Sequence, residues 1–195
     1  MSTSILEQKR QLRARLKAER AAYGAQHMIE AANAVAELGL APLVPLPAAA
    51  MVSGFAPLPE EFRLWPLLRR LHTEGFGMAL PVIVGKGKPL LFRAWQPGDA
   101  TDRGVWGIAQ PKADKAIVVP DILLVPLLAF DAKGYRLGYG GGFFDRTLRA
   151  LRAEKAIVAV GVAYAEQRLD AVPHLDYDER LDWVLTPAGA IRCVD

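Results

Sequence analysis

Residues 123–151 read LLVPLLAFDAKGYRLGYGGGFFDRTLRAL, and the order of chemical types along them decides the fold. The apolar run at 123–126 is unbroken, as in a strand covered on both faces. A turn follows at Asp131-Ala132-Lys133-Gly134, with Asp first and Gly fourth as a type I turn prefers, so Asp131 is read as a turn-former rather than a catalyst. Gly138, Gly140, Gly141 and Gly142 then crowd into five positions ahead of a helical pattern at about 142–153. Strand, glycine loop and helix in that order make the first half of a βαβ unit.

The same alternation extends in both directions. Short apolar runs stand at 50–55 (AMVSGF), 77–84 (GMALPVIV), 90–95 (LLFRAW), 121–126 (DILLVP), 157–164 (IVAVGVAY) and 182–186 (DWVLT), with a further helical pattern at 61–74. The spacing predicts an α/β chain, residues 1–195 forming one layered domain with a largely parallel central sheet flanked by helices. GKGKP at 85–89 reads as a turn joining two strands. Residues 4–23 lack proline and glycine and set Ile5, Leu12 and Leu16 on one face, which predicts an amphipathic helix. A second helix is predicted at 25–38, then a proline-rich connector at 39–50.

Composition narrows the function classes. With 195 residues, 52% of them apolar, the chain can bury one good core. Cys193 is the single cysteine, and with His27, His72 and His174 it matches no zinc spacing; a reducing cytoplasm is the expected location. No run of about 18 uncharged apolar residues predicts a membrane span, and MSTSILEQKRQ lacks the form of an export signal. The net charge of +3 is local: Lys9, Arg10, Arg13, Arg15, Lys17 and Arg20 outweigh Glu7 and Glu19, and the remainder is slightly acidic. That pattern argues against a nucleic-acid-binding face and suits a compact anion such as a nucleoside triphosphate. At about 100° per residue, Lys9, Arg13 and Arg20 share a stripe beside the apolar face. Cations snorkelling at the margin of a buried seam would give the same spacing.

Glycines before a helix expose backbone N–H groups to phosphate oxygens, and the helix dipole favours the anion. Arg136 enters this loop as a planar cation, and Asp145 leaves it as a carboxylate able to hold a hard cation. Neither G-x-x-x-x-G-K-[ST] nor G-x-G-x-x-G is present, since 138–143 reads GYGGGF. A tight turn for close helix packing is the competing explanation.

These residues resemble the 5-formyltetrahydrofolate cyclo-ligases, also called methenyltetrahydrofolate synthetases. The resemblance lies in A-F-D-x-x-G at 129–134, R-L-G-x-G-x-G-[YF]-[YF]-D at 136–145, K-R-x-L-R at 9–13, Glu61, Leu-Pro-Val at 80–82 and L-D-x-V-x-T at 181–186. It implies that Lys9, Arg10 and Arg13 bind ATP phosphates with Arg136, Leu137, Gly138, Tyr139, Gly140, Gly141, Gly142, Phe143 and Phe144, Lys9 and Arg136 serving catalysis. It implies that Glu61, Trp106 and the loop from Tyr139 through Phe143 contact the folate, with or without a polyglutamate tail. Asp145 and Asp182 would converge on Mg²⁺. The implied reaction converts 5-formyltetrahydrofolate to the 5,10-methenyl form through phosphorylation of the formyl oxygen, releasing ADP and phosphate.

The chain departs from the family pattern at three places. Arg63-Leu64 stands where relatives carry Asp-Thr after Glu61, Phe143-Phe144 replaces a tyrosine pair, and Tyr177-Asp178 replaces His-Asp. Stacking or packing, rather than a phenol, is therefore expected at 143–144. A sugar-phosphate isomerase or CoA-transferase-like protein of the same broad fold would use the glycine loop without ATP. A basic-helix nucleic-acid binder is the non-enzyme alternative.

Overall fold

The computed structural model describes residues 4–43, 46 and 49–194. Helix α1 (Ile5–Leu38) opens at Ser4, whose side-chain oxygen accepts the Glu7 amide, and closes at Gly39, whose amide reaches the Val35 carbonyl. The two helices expected at 4–23 and 25–38 are therefore one. Gly24 stays helical because a Cβ there would stand 3.2 Å from the Tyr164 hydroxyl, so packing outweighs glycine's cost of about 1 kcal/mol. The connector contains a short 3₁₀ turn at Ala41–Leu43, and its residues 44, 45, 47 and 48 lie outside the described residues.

After the connector come β1 (Met51–Ser53), α2 (Trp65–Thr73), β2 (Gly77–Val82), β3 (Leu91–Ala94), β4 (Thr101–Arg103), β5 (Ala109–Pro111) and β6 (Ile122–Pro126). The chain continues through β7 (Ala129–Phe130), β8 (Arg136–Leu137), α3 (Phe143–Glu154), β9 (Val158–Val162), β10 (Trp183–Thr186) and β11 (Gly189–Arg192). One sheet runs β11-β10-β9-β6-β1-β2-β3. Its inner pairs are parallel and its two edge pairs antiparallel. Each of the six apolar runs of the sequence became a strand of this sheet. The unanticipated strands are short: β4 is wholly exposed, and β7 and β8 have two residues each, too few to show a period.

Strand pleating sends successive residues to opposite faces, which explains the continuous apolar run of β6. Ile122 and Leu124 join the core with Val35, Leu67 and Leu71 of α1 and α2; Leu123 and Val125 join the core with Leu148 of α3. The chain leaves β1 through α2 toward β2 and leaves β6 through α3 toward β9, so the strand order reverses between β1 and β6. In open α/β sheets a crevice forms beyond the strand C-termini at such a switch point. The segments following these two strands, with Glu61 in one and the glycine loop in the other, meet there.

Gly54 directly follows β1 and lies under α2. A Cβ at that position would come within 2.7 Å of both Leu68 Cδ atoms. Gly54→Ala should therefore cost about 1–3 kcal/mol of stability; an unchanged urea midpoint would show that Leu68 yields without strain.

Candidate active site

The loop between β8 and α3 bends through Gly140 and Gly142, whose φ angles are +95° and +64°. L side chains are strained there, and space is short as well: a Cβ would lie 3.3 Å from Arg13 Cζ at Gly140 and 2.8 Å from Arg146 Nη1 at Gly142. A Cβ on Gly138 would meet nothing within 4 Å, so that glycine faces open space. Gly142 caps α3 without a side-chain hydrogen bond, which leaves the first-turn amides directed at the loop.

The basic stripe of α1 docks on this loop. Arg13 Nε donates to the Gly138 carbonyl at 2.8 Å, Arg20 Nη2 donates to the Tyr139 hydroxyl, and Lys9 pairs with Asp178. Lys9 and Arg20 are buried. Arg10 is turned away, with 78% of its side chain exposed and Glu7 as its partner at 2.9 Å. The stripe thus separates two loop-bound cations, Arg13 and Arg20, and the buried Lys9 from a solvated neighbour.

Arg136 lies buried under the loop, donating to Asp145 Oδ1 at 2.8 Å and to the Glu179 carbonyl. Burial pushes its guanidinium below the ordinary arginine value, while Asp145 opposes that shift. Asp145 Oδ1 also accepts the Glu179 amide at 3.1 Å. Leu137 contributes backbone alone, its side chain packing in a small core with Leu16, Leu128 and Val172. Phe144 packs against the core on the α3 side of the sheet. Phe143 faces Trp106, their ring centroids 6.0 Å apart, and the Arg146 guanidinium lies 5.4 Å from the Phe143 ring. Packing and stacking are thus what both phenylalanines do. Trp106 is 70% exposed between β4 and β5, and its φ of 57° is unusual for a large side chain.

Glu61 is buried at one end of a cleft of ≈ 240 Å³, whose wall includes Met28, Pro57, Leu58, Arg63, Trp65 and Arg69. Its carboxylate accepts the Leu58 amide at 2.8 Å and lies beside the Tyr139 phenol. Burial raises its pKa, against the opposing pull of that amide, Arg20 and Tyr139. The phenol itself is pushed up to about 12, by burial first and by the Glu61 charge second. Arg63, the departure noted beside Glu61, lines this same cleft.

Asp145 and Asp182 are joined through a Glu179–Arg152 pair rather than facing each other directly. Asp182 precedes β10, where its Oδ2 accepts the Ala159 amide at 2.7 Å and pairs at 3.0 Å with Arg152, two turns along α3 from Asp145. Glu179 and Arg152 stand between the two aspartates. Among the described residues no group of three or more His, Cys, Asp or Glu side chains is placed to hold a metal ion. Asp131 is the turn-former expected: its carbonyl accepts the Gly134 amide, and its carboxylate takes the amides of Lys133, Tyr135 and Val172. Sequence reasoning put Arg20 on the stripe without assigning it to the site, and it missed Asp178, Glu179 and Arg146. Asp178 and Glu179 lie in an irregular segment where no periodic signal marks a polar residue. Arg146 lies in the first turn of α3, where the pattern gives no sign that it folds back on the loop.

An α/β protein with a cation-ringed glycine loop at its sheet's switch point is the class that fold and site define. The chain belongs to the 5-formyltetrahydrofolate cyclo-ligase family, a family of enzymes whose model matches residues 5–187. Among its relatives, the 5-formyltetrahydrofolate cyclo-ligase of Escherichia coli K12 is 35% identical over 74% of this chain and 81% of that protein. The Haemophilus influenzae protein of the same name is 38% identical over 57% of this chain, and this match spans 62% of that protein's length. The Aquifex aeolicus 5,10-methenyltetrahydrofolate synthetase structure superposes with a TM-score of 0.74 at 26% identity, covering 96% of this chain and 93% of that one. A Mycoplasma pneumoniae 5,10-methenyltetrahydrofolate synthetase shares the fold, with a TM-score of 0.72 at 20% identity over 92% and 98% of the two chains.

A carboxyl group with a raised folded-state pKa binds its proton more tightly in the fold than in the unfolded chain. Its contribution to stability is present below the unfolded value and is lost as pH rises through the folded value. Glu61→Gln should accordingly leave the melting temperature at pH 7 equal or higher, and flatten its decline above the carboxyl range. A drop of about 4 °C or more would show that the Glu61 charge supports the fold.

Proposed function

We propose that the chain catalyses the ATP-dependent cyclisation of 5-formyltetrahydrofolate to 5,10-methenyltetrahydrofolate in the cytoplasm, with release of ADP and phosphate. The observation that carries this reading is the docking of Arg13 and Arg20 onto the glycine loop, with Lys9 buried on Asp178 and Glu61 close to Arg20. Lys9, Arg13 and the loop amides would surround the triphosphate, which fits the open space at Gly138 and the uncapped first turn of α3. Arg136, held by Asp145 and the Glu179 carbonyl, fixes the loop from beneath and adds positive charge to the site. Arg10 could reach phosphate only by leaving Glu7.

The formyl oxygen of the substrate is a poor leaving group. In the proposed sequence that oxygen takes the γ-phosphoryl group as ADP departs. N10 then bonds to the formyl carbon, losing its proton, and inorganic phosphate leaves with the former formyl oxygen. Such a transfer asks the protein for orientation and charge neutralisation rather than a covalent nucleophile. The Cys193 thiol, pushed up to about 11 by burial, would be a poor one. Glu61 would accept hydrogen bonds from the folate ring system, and Trp106 with Phe143 would give an aromatic wall.

Mg²⁺ would neutralise charge on the phosphates. It commonly takes one or two protein carboxylates, the rest of its shell being phosphate and water, so Asp145 suffices as its protein ligand. Each aspartate holds one arginine and one amide, but Asp145 stands at the end of the glycine loop while Asp182 stands apart from it beside Arg152, which favours Asp145 for that part. The near-neutral chain beyond residue 20 disfavours nucleic acid as a partner.

The direct experiment mixes the purified chain with 5-formyltetrahydrofolate, ATP and Mg²⁺ and follows the absorbance of the methenyl product. Turnover without ATP, or none with it, overturns the reading. A charged hydrogen bond is worth roughly 1.5–3 kcal/mol, so Lys9→Ala and Arg13→Ala should each raise the KM for ATP about ten- to a hundredfold; an unmoved KM would return the stripe to a packing role.

The two aspartates should separate in the same assay. Asp145→Asn is expected to lower kcat and shift the Mg²⁺ dependence. Asp182→Asn should lower the melting temperature and leave that dependence unchanged. A shifted Mg²⁺ dependence in Asp182→Asn would restore it as a ligand.

A further inference from the structure

The Arg20 guanidinium joins three places far apart in sequence. It leaves α1 with the residue only 4% exposed, donates from Nη1 to the Leu127 carbonyl just beyond β6 at 3.2 Å, and from Nη2 to the Tyr139 hydroxyl. The phenol oxygen accepts from Arg20 and lies beside the Glu61 carboxylate, so its own proton is free to turn toward that group. The Tyr139 ring also lies 5.4 Å from the Arg20 guanidinium carbon and 4.9 Å from Lys17 Nζ.

Tyr139 sits between Gly138 and Gly140, where the backbone restricts direction least. Its orientation must therefore come from its side-chain contacts. Arg20 Nε is buried with no acceptor. An unmet buried donor opposes stability, which makes this arginine a poor choice for stability alone.

We infer that Arg20 is a positioning residue: tied to the Leu127 carbonyl, it holds the Tyr139 phenol beside the Glu61 carboxylate, so that the phosphate loop and the substrate cleft keep one relative orientation. This rests on the reading above, in which the loop takes the nucleotide and the cleft takes the folate. Transfer between two bound molecules depends steeply on their mutual placement, so the expected cost of losing Arg20 falls on kcat more than on either affinity. The groups facing Glu61 are Tyr139 from the loop, Arg20 from α1, and the Leu58 amide and Glu60 from its own segment. Removing Arg20 removes a nearby cation and releases the phenol, and both changes favour the protonated Glu61.

Arg20→Ala, Tyr139→Phe and the double variant test this in the full-length chain by two readouts. Each single change should lower kcat about tenfold with both KM values within about threefold of the parent, and the double variant should fall no further than the worse single variant. Losses that multiply to about a hundredfold would show that the two residues act separately and would overturn the inference. In carboxyl-resolved NMR of ¹³C-Glu protein without substrates, the Glu61 midpoint should rise in both single variants. A midpoint unmoved in both also overturns it. The NMR readout needs no turnover, so a parent chain that fails to cyclise the folate sinks the functional reading while the Glu61 titration still decides the part played by Arg20. Should Arg20→Ala fail to fold, Tyr139→Phe, which loses a single oxygen, gives the same decision.

Discussion

The docking of the α1 basic stripe onto the glycine loop is the contact on which the rest of the site depends. Four residues with little side-chain mass, 138 and 140–142, have no packing of their own to hold them in place. Arg13 supplies that constraint by donating to the Gly138 carbonyl at 2.8 Å, and Arg20 adds a second hold at the Tyr139 hydroxyl. Lys9 meets Asp178, beside the Glu179 backbone that also grips Arg136 and Asp145. The loop is thus fixed from above by α1 and from beneath by Arg136. A helix of 34 residues is needed because the same element must also pack on α2 and the sheet through Ala31, Ala32 and Val35.

Topology explains why this contact forms where it does. Reversal of the strand order between β1 and β6 makes a switch point, beyond which open α/β sheets form a crevice. Met28 of α1, the segment carrying Glu61, and Trp65 and Arg69 of α2 line the cleft, while α1 meets the loop after β8 through Arg13 and Arg20. Trp106 arrives from outside the main sheet, between β4 and β5, and meets the loop at Phe143. Distant parts of the chain are thereby gathered around one concavity, with cations toward the loop and the buried Glu61 toward the cleft.

Legibility in the sequence followed the length and regularity of each signal. The central strands were readable because their apolar runs are continuous, and α3 because a glycine cluster precedes it. The join at Gly24 was not, since the reason glycine is tolerated there is the Tyr164 side chain 140 positions later. The stripe of Lys9, Arg13 and Arg20 was readable as geometry, but spacing alone could not distinguish cations aimed at a ligand from cations edging a core. Arg10 adjoins Lys9 in the motif yet points elsewhere, because neighbours on a helix are turned about 100° from each other. The surroundings of Asp182 were not legible for a related reason: a motif records which residues recur, and not that Arg152 and the Ala159 amide hold this one. Asp178 and Glu179 occupy an irregular segment, where no period could have marked them.

In the proposed reaction the loop and the α1 cations place the γ-phosphate against the formyl oxygen, so that this oxygen departs as phosphate. Isotope transfer tests that claim most directly. With 5-formyltetrahydrofolate labelled by ¹⁸O in the formyl group, single-turnover reaction with ATP should yield inorganic phosphate carrying one ¹⁸O atom per methenyl product formed. Methenyl product accompanied by unlabelled phosphate, with the label in water, would contradict it.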